Sequence, residues 1–210
     1  MKEVTEVTAD DHIRENSRPE EKKESWQKSI LLYLHDLIYM LAGIMIAFLL
    51  VFRLVIVSGD SMYSTLWDGD WLLVLSNTFY REPEYGDIIV ASKDSFNSGE
   101  PIIKRVIATE GQTVDIDFVS GVVFVDGTPL REDYAFTRTN VEEGMDFPLV
   151  VEEGCVFAMG DNRNESKDSR HPAIGQIDKR EIMGKALFLF YPGAHEDTNV
   201  RDFDRIGALN

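Results

Sequence analysis

From Leu37 to Phe52 the chain carries no charged residue, and the apolar run continues past Arg53 through Leu54, Val55, Ile56 and Val57. Upstream it extends through Ile30, Leu31, Leu32, Tyr33 and Leu34, broken only by His35 and Asp36. No other feature constrains the fold as strongly. About 20 mainly apolar residues are enough for a helix to cross the hydrocarbon core of a bilayer. A cleavable leader has a shorter apolar core and a shorter lead-in. A core helix of a globular domain keeps a polar face over such a length. Residues 30–57 therefore read as one membrane-spanning signal-anchor helix, with Arg53 reaching back to the interface. Residues 1–29 read as a tail, because the stretch to Ser25 is charged and nearly free of large apolar side chains. Arg18, Lys22, Lys23 and Lys28 precede the span and only Arg53 lies close to its far end. The positive-inside rule then keeps the N-terminus in the cytoplasm and exports residues 58–210.

The 210 residues suffice for one ordinary domain beyond the anchor and tail. A formal net charge of -16 argues against nucleic acid as a partner, since that affinity rests on Lys and Arg neutralising phosphates. The lone Cys155 has no internal disulfide partner, and no Cys/His cluster has metal-ligand spacing, so no metal or cofactor is expected. Cys155 lies among Val156, Phe157 and Met159 and reads as a small core residue.

Beyond the span, short apolar runs alternate with turn residues: Trp71 to Leu75, Asp87 to Ala91, Ile102 to Ala108, Thr113 to Phe118, Val122 to Val125, Val156 to Met159 and Lys185 to Phe190. Val122 to Val125 followed by Asp126-Gly127 predicts a strand entering a tight hairpin. No long amphipathic helical stretch follows Val57. The expected architecture is a mainly β domain, a partly open barrel or sandwich, behind a single apolar helix.

Three segments carry chemistry. Ser58-Gly59-Asp60-Ser61-Met62 begins where the apolar run ends. Ser61 alone is a weak signal, because a serine hydroxyl attacks only when a base takes its proton. Of the four histidines, His12 and His35 lie in the tail and the span, which leaves His171 and His195 open as bases. Lys104 is a second candidate, inside the apolar strand Pro101 to Ile107. A lysine there either alternates into solvent or is buried, and burial lowers its pKa enough for it to serve as a base. Arg105, next along the strand, points to the opposite face. The third segment, Gly160 to Arg170, interleaves aspartates with arginines that can form bidentate pairs and stiffen a loop, although a polar surface loop has the same composition.

Taken together these segments resemble the bacterial type I signal peptidases, with their Ser-Lys catalytic pair. The signature S-G-x-S-M-x-P-T-L stands here as Ser58 to Leu66. The lysine signature stands as Ile103-Lys104-Arg105-Val106-Ile107, and G-D-N-R-x-x-S-x-D-S-R is matched from Gly160 to Arg170. Gly86 to Val90 matches a further G-D segment. The resemblance implies a signal-peptidase fold, shared with self-cleaving repressors. It implies an endopeptidase that removes signal peptides from secretory preproteins with small residues before the cut. By the same resemblance Ser61 is the nucleophile and Lys104 the general base, with Ser166 bonded to the Lys104 amine. Asp161 would pair with Arg105 and Asp168 with Arg170. The Ser61 N–H, joined by a donor at Gly59, would form the oxyanion hole. Val57, Met62, Leu66 and Ile103 would wall the substrate pocket. The chain departs from the family at Gly59, where some members place a serine donor, and at Ser64, where the family has proline. Two other classes fit parts of the chain: a self-cleaving repressor, which would need a DNA-binding region in place of the apolar span, and an inactive anchored β-domain that only binds partners.

Overall fold

The computed structural model describes residues 18–195 and 198–209. Most of the segment read as a tail, residues 1–17, lies outside them. Helix α1 runs from Arg18 to Val51, and its stretch Trp26–Val51 is by length and composition apolar enough to cross a membrane, with no part of it buried in the protein. Its bounds differ from the expected span at both ends. It starts inside the segment read as a tail, and it stops six residues before Val57.

The early stop has a physical reason. Phe52–Ile56 forms strand β1, which pairs antiparallel with β2, Trp71–Ser76, placing Phe52 opposite Leu75 and Ile56 opposite Trp71. A continuous apolar run does not distinguish helix from strand. β-Branched Val55 and Ile56 fit a pleated strand, and β2 satisfies their backbone groups.

The strands that follow are β3 (Ile88–Ser92), β4 (Pro101–Thr109), β5 (Thr113–Asp117), β6 (Val122–Val125), β7 (Thr128–Pro129), β8 (Leu149–Val150), β9 (Cys155–Met159), β10 (Ile177–Asp178), β11 (Ile182–Tyr191) and β12 (Gly207–Ala208). The larger sheet has the order β1-β2-β11-β3-β4-β9-β10, with β12 on β11, and the smaller one β7-β6-β5-β8. Every pairing is antiparallel. The hairpin foreseen at Asp126-Gly127 joins β6 to β7, with positive φ at both residues, +51° and +74°, as a type I′ turn requires. The domain is mainly β, as expected.

Strand β4 positions the site. It lies between β3 and β9 and contributes to all three apolar clusters: Ile103 to the first, Ile107 to the second and Val106 to the third. Ile103 to Ala108 are consequently buried on both faces of the strand. Strand alternation alone would send one of Lys104 and Arg105 toward solvent. The sandwich encloses both, at 4% and 2% exposure.

Candidate active site

Residues 58–69 leave and rejoin the larger sheet at one point. Val57 N–H donates to the Asp70 carbonyl (2.8 Å), and Gly69 N–H donates to the Val57 carbonyl (2.9 Å). Asp70 is fully buried; its carboxylate accepts from Trp67 N–H (2.8 Å), Gly193 N–H (2.6 Å) and both Arg205 amines (3.0 and 2.7 Å). The base of the loop is thus fixed independently of its tip, where Ser61 sits partly exposed.

Lys104 Nζ lies 2.7 Å from Ser61 Oγ. No carboxylate is within ion-pair distance of that amine among the described residues. Burial lowers the Lys104 pKa to about 8, the attraction of Asp168, Asp161 and Glu143 for the charged form offsetting only part of the desolvation. A lysine held in this way is partly neutral near physiological pH. Neither His171 nor His195 is bonded to Ser61 among the described residues: His171 Nδ1 accepts from Ala173 N–H (3.1 Å), and His195 packs edge-on against Trp67.

The loop 160–170 holds the opposite side of Ser61. Asn162 N–H donates to the Ser61 carbonyl (3.0 Å) and its side-chain amide to the Asp60 carbonyl (3.1 Å). Gly160 permits this approach, since a Cβ there would stand 2.3 Å from the Ser61 carbonyl oxygen and 2.2 Å from Ser166 Oγ. Ser169 ties the same loop to β9 through Ala158 in both directions (3.0 and 3.1 Å). The Ser61 N–H has no acceptor among the described residues, so it is free to face a substrate oxygen.

Three buried arginines brace this arrangement. Arg105 meets Asp161 through two bonds (2.9 and 2.8 Å), Thr65 Oγ1 donates to the same carboxylate (2.6 Å), and the guanidinium lies 4.3 Å from the Tyr134 ring centroid. Arg170 meets Asp168 at 2.8 Å twice and also donates to the Arg163 carbonyl (2.6 Å). Arg163 meets Glu132 at 2.9 and 2.6 Å and donates to Thr139 Oγ1 (2.9 Å). The first two pairs are those expected. Thr65, Asn162, Glu132 and Asp70 were missed. Asn162 lay inside a recognised motif, whereas Glu132 sits in an irregular segment with no pattern to single it out.

Three expectations need correction. Ser166 Oγ donates to Asp168 Oδ2 (2.9 Å) and has no hydrogen bond to Lys104 among the described residues. The carboxylate two residues away takes the one hydroxyl proton, and the Lys104 amine makes its hydrogen bond with Ser61 Oγ instead. Gly59 adopts φ +83° and spends its only donor on Asp68 Oδ1 (2.8 Å), so it offers none to an oxyanion in this arrangement. Leu66 is fully buried in the first apolar cluster and does not line the groove beside Ser61, because it lies one turn beyond Met62, its N–H bonded to the Met62 carbonyl. That groove, about 520 Å³, is lined by Val57, Met62 and Ile103 as expected, and also by Val55, Ile56, Phe96, Pro101 and Ile102.

Comparison with known proteins places the chain. A model of the signal peptidase family, peptidase S26, matches residues 29–191. A probable signal peptidase I-1 of Synechocystis sp. is 39% identical over 146 residues, 66% of this chain and 70% of that protein. A signal peptidase I of Bacillus licheniformis is 34% identical over 175 residues, 80% of this chain and 88% of that one. A solved signal peptidase I from Enterococcus faecalis, 29% identical, covers 50% of this chain and 96% of that structure at a TM-score of 0.40. The chain is a serine peptidase. It belongs to the signal peptidase family, peptidase S26.

Proposed function

We propose that this enzyme is a membrane-anchored endopeptidase that removes N-terminal signal peptides from exported preproteins, with Ser61 as nucleophile and Lys104 as general base. The observation that carries the reading is the 2.7 Å contact between the Lys104 amine and the Ser61 hydroxyl, made by a lysine enclosed on both faces of β4. In its neutral form the amine accepts the hydroxyl proton as Ser61 Oγ attacks the scissile carbonyl. The Ser61 N–H faces the tetrahedral oxyanion, a contribution of about 3–4 kcal/mol per donor. The ammonium then gives its proton to the leaving amine, and the mature chain departs. The same amine, neutral again, takes a proton from water, which hydrolyses the acyl-enzyme.

Ser166 acts at one remove in this scheme. Its hydroxyl donates to Asp168, which Arg170 holds in place, so it braces the loop that backs Ser61. An extended peptide fits the apolar groove between β1 and the start of β4, where Val57, Met62 and Ile103 leave room for small side chains before the cut. Helix α1 is the anchor, and the lysines and arginines ahead of it support a cytoplasmic N-terminus and an extracytoplasmic catalytic domain of residues 58–210.

The test is cleavage of a secretory preprotein by the full chain in detergent, together with labelling of Ser61 by a serine-acylating inhibitor. Wild type cleaves and is labelled; Ser61→Ala does neither, and Lys104→Ala loses cleavage. Cleavage retained by either variant contradicts the assignment.

A further inference from the structure

Beside the groove that holds the apolar side of the substrate lies a second, larger cavity of about 620 Å³, to which no role has so far been given. The two share the Ser61 loop as a wall: Ser58, Ser61 and Met62 face the groove, and Asp60 and Tyr63 face the cavity. Asn162, which fixes the Ser61 and Asp60 carbonyls, lines the cavity as well. The peptide bond attacked by Ser61 has a chain on both sides. If the part before the cut lies in the groove, the part after it leaves across this loop. We infer that the cavity receives the first residues of the mature chain, those that follow the scissile bond, and that it favours cationic ones. This rests on the cleavage reaction proposed above.

The lining supports both halves of the inference. Asp60, Asp68 and Glu165 bring three carboxylates to the cavity, and none of them is paired with a cation among the described residues. Tyr63 and Trp67 line it too, with ring centroids 6.3 Å apart, and an aromatic ring attracts an ammonium or guanidinium. Arg205 covers the Trp67 ring at 3.8 Å and is held by Asp70 through two bonds, and it forms no ion pair with the other three carboxylates among the described residues; His195 also lines the cavity.

The experiment uses three peptides alike up to the cut, carrying lysine, alanine or glutamate at the second and third positions after it. They are cleaved by the full-length enzyme in detergent at low salt. Wild type should cleave the lysine peptide with a kcat/KM about tenfold above that of the glutamate peptide, the alanine peptide falling between. The gap should shrink in high salt, since exposed carboxylates are screened. In the double variant Asp60→Asn, Glu165→Gln the lysine-to-glutamate ratio should fall to about one, and Tyr63→Leu should lower it without reversing it. Equal rates for the three peptides in wild type, or a ratio unchanged in the double variant, overturn the cavity's role while leaving the cleavage assignment standing. Failure to cleave any of the three overturns that assignment, and the cavity's role with it.

Discussion

The buried arginines and the buried lysine around Ser61 are opposite solutions to one problem. Arg105, Arg163 and Arg170 are each no more than 2% exposed, and each meets a carboxylate through two bonds. Lys104 is about as deeply enclosed and, among the described residues, meets only a hydroxyl. A guanidinium does not lose its proton in a protein, so it is kept inside only when paired. An amine is free to lose its proton instead, and an unpaired buried lysine does so near neutral pH. The arginines therefore hold the site, and the lysine titrates.

Ways to break that contrast follow from the largest effect to the smallest. Removing the titrating partner or its target, by Lys104→Ala or Ser61→Ala, should lower kcat/KM for preprotein cleavage by at least about 1,000-fold, because the proton transfer and the attack are both lost. Breaking a paired arginine should act on stability first. Arg105→Ala leaves the Asp161 carboxylate buried without its partner, a loss of about 3–5 kcal/mol measured by denaturant unfolding of the full chain in detergent.

The lysine should behave in the opposite sense. Its folded pKa, about 8, lies below the 10.5 of a solvated lysine. The unfolded chain therefore holds more protons between those values, and stability rises with pH across that window. The cost of burying Lys104 is complete below about pH 8 and gone above the unfolded value. Lys104→Met, which removes that cost, should raise stability at pH 7 by about 2–3 kcal/mol while abolishing cleavage. If Lys104→Met is instead as destabilising as Arg105→Ala, the amine is paired after all.

The smallest effect concerns Glu143. One of its carboxylate oxygens is buried without a partner among the described residues, and its pKa is raised by burial first and by Asp168 second. Where it is ionised it favours the charged form of Lys104. Glu143→Gln should move the alkaline rise in cleavage rate to lower pH by a few tenths of a unit, about 0.3–0.5; no shift, or one to higher pH, would contradict its placement.

How much of this was legible beforehand depended on whether a signal was local. The strands announced themselves through short apolar runs, and the hairpin through Asp126-Gly127. Ser61, Lys104, Asp161 and Arg105 were readable because three short motifs carry them. The end of the anchor was not, because the apolar run continues unbroken from a helix into β1 and only the pairing with β2 divides it. Alternation along β4 put Lys104 and Arg105 on opposite faces but left their joint burial open, since that depends on layers that no single strand reveals. Glu132 and Asp70 were invisible for a similar reason: each is an ordinary acidic residue in its own segment and gains meaning only from an arginine 31 or 135 positions away. Ser166 shows the reverse error, where a motif position is right and the partner is not, since a neighbouring carboxylate competes for the single hydroxyl proton.

The central claim is that Lys104, buried and unpaired, takes the proton of Ser61. Its most direct test is the pH dependence of kcat/KM for one peptide substrate, measured from pH 5 to pH 10 with the full-length enzyme. The account predicts a rate that rises with pH through a single ionisation at about 8 and then levels off, with that rise absent in Lys104→Ala. A rise centred near 6.5, the ordinary histidine value, that survives in Lys104→Ala would contradict it.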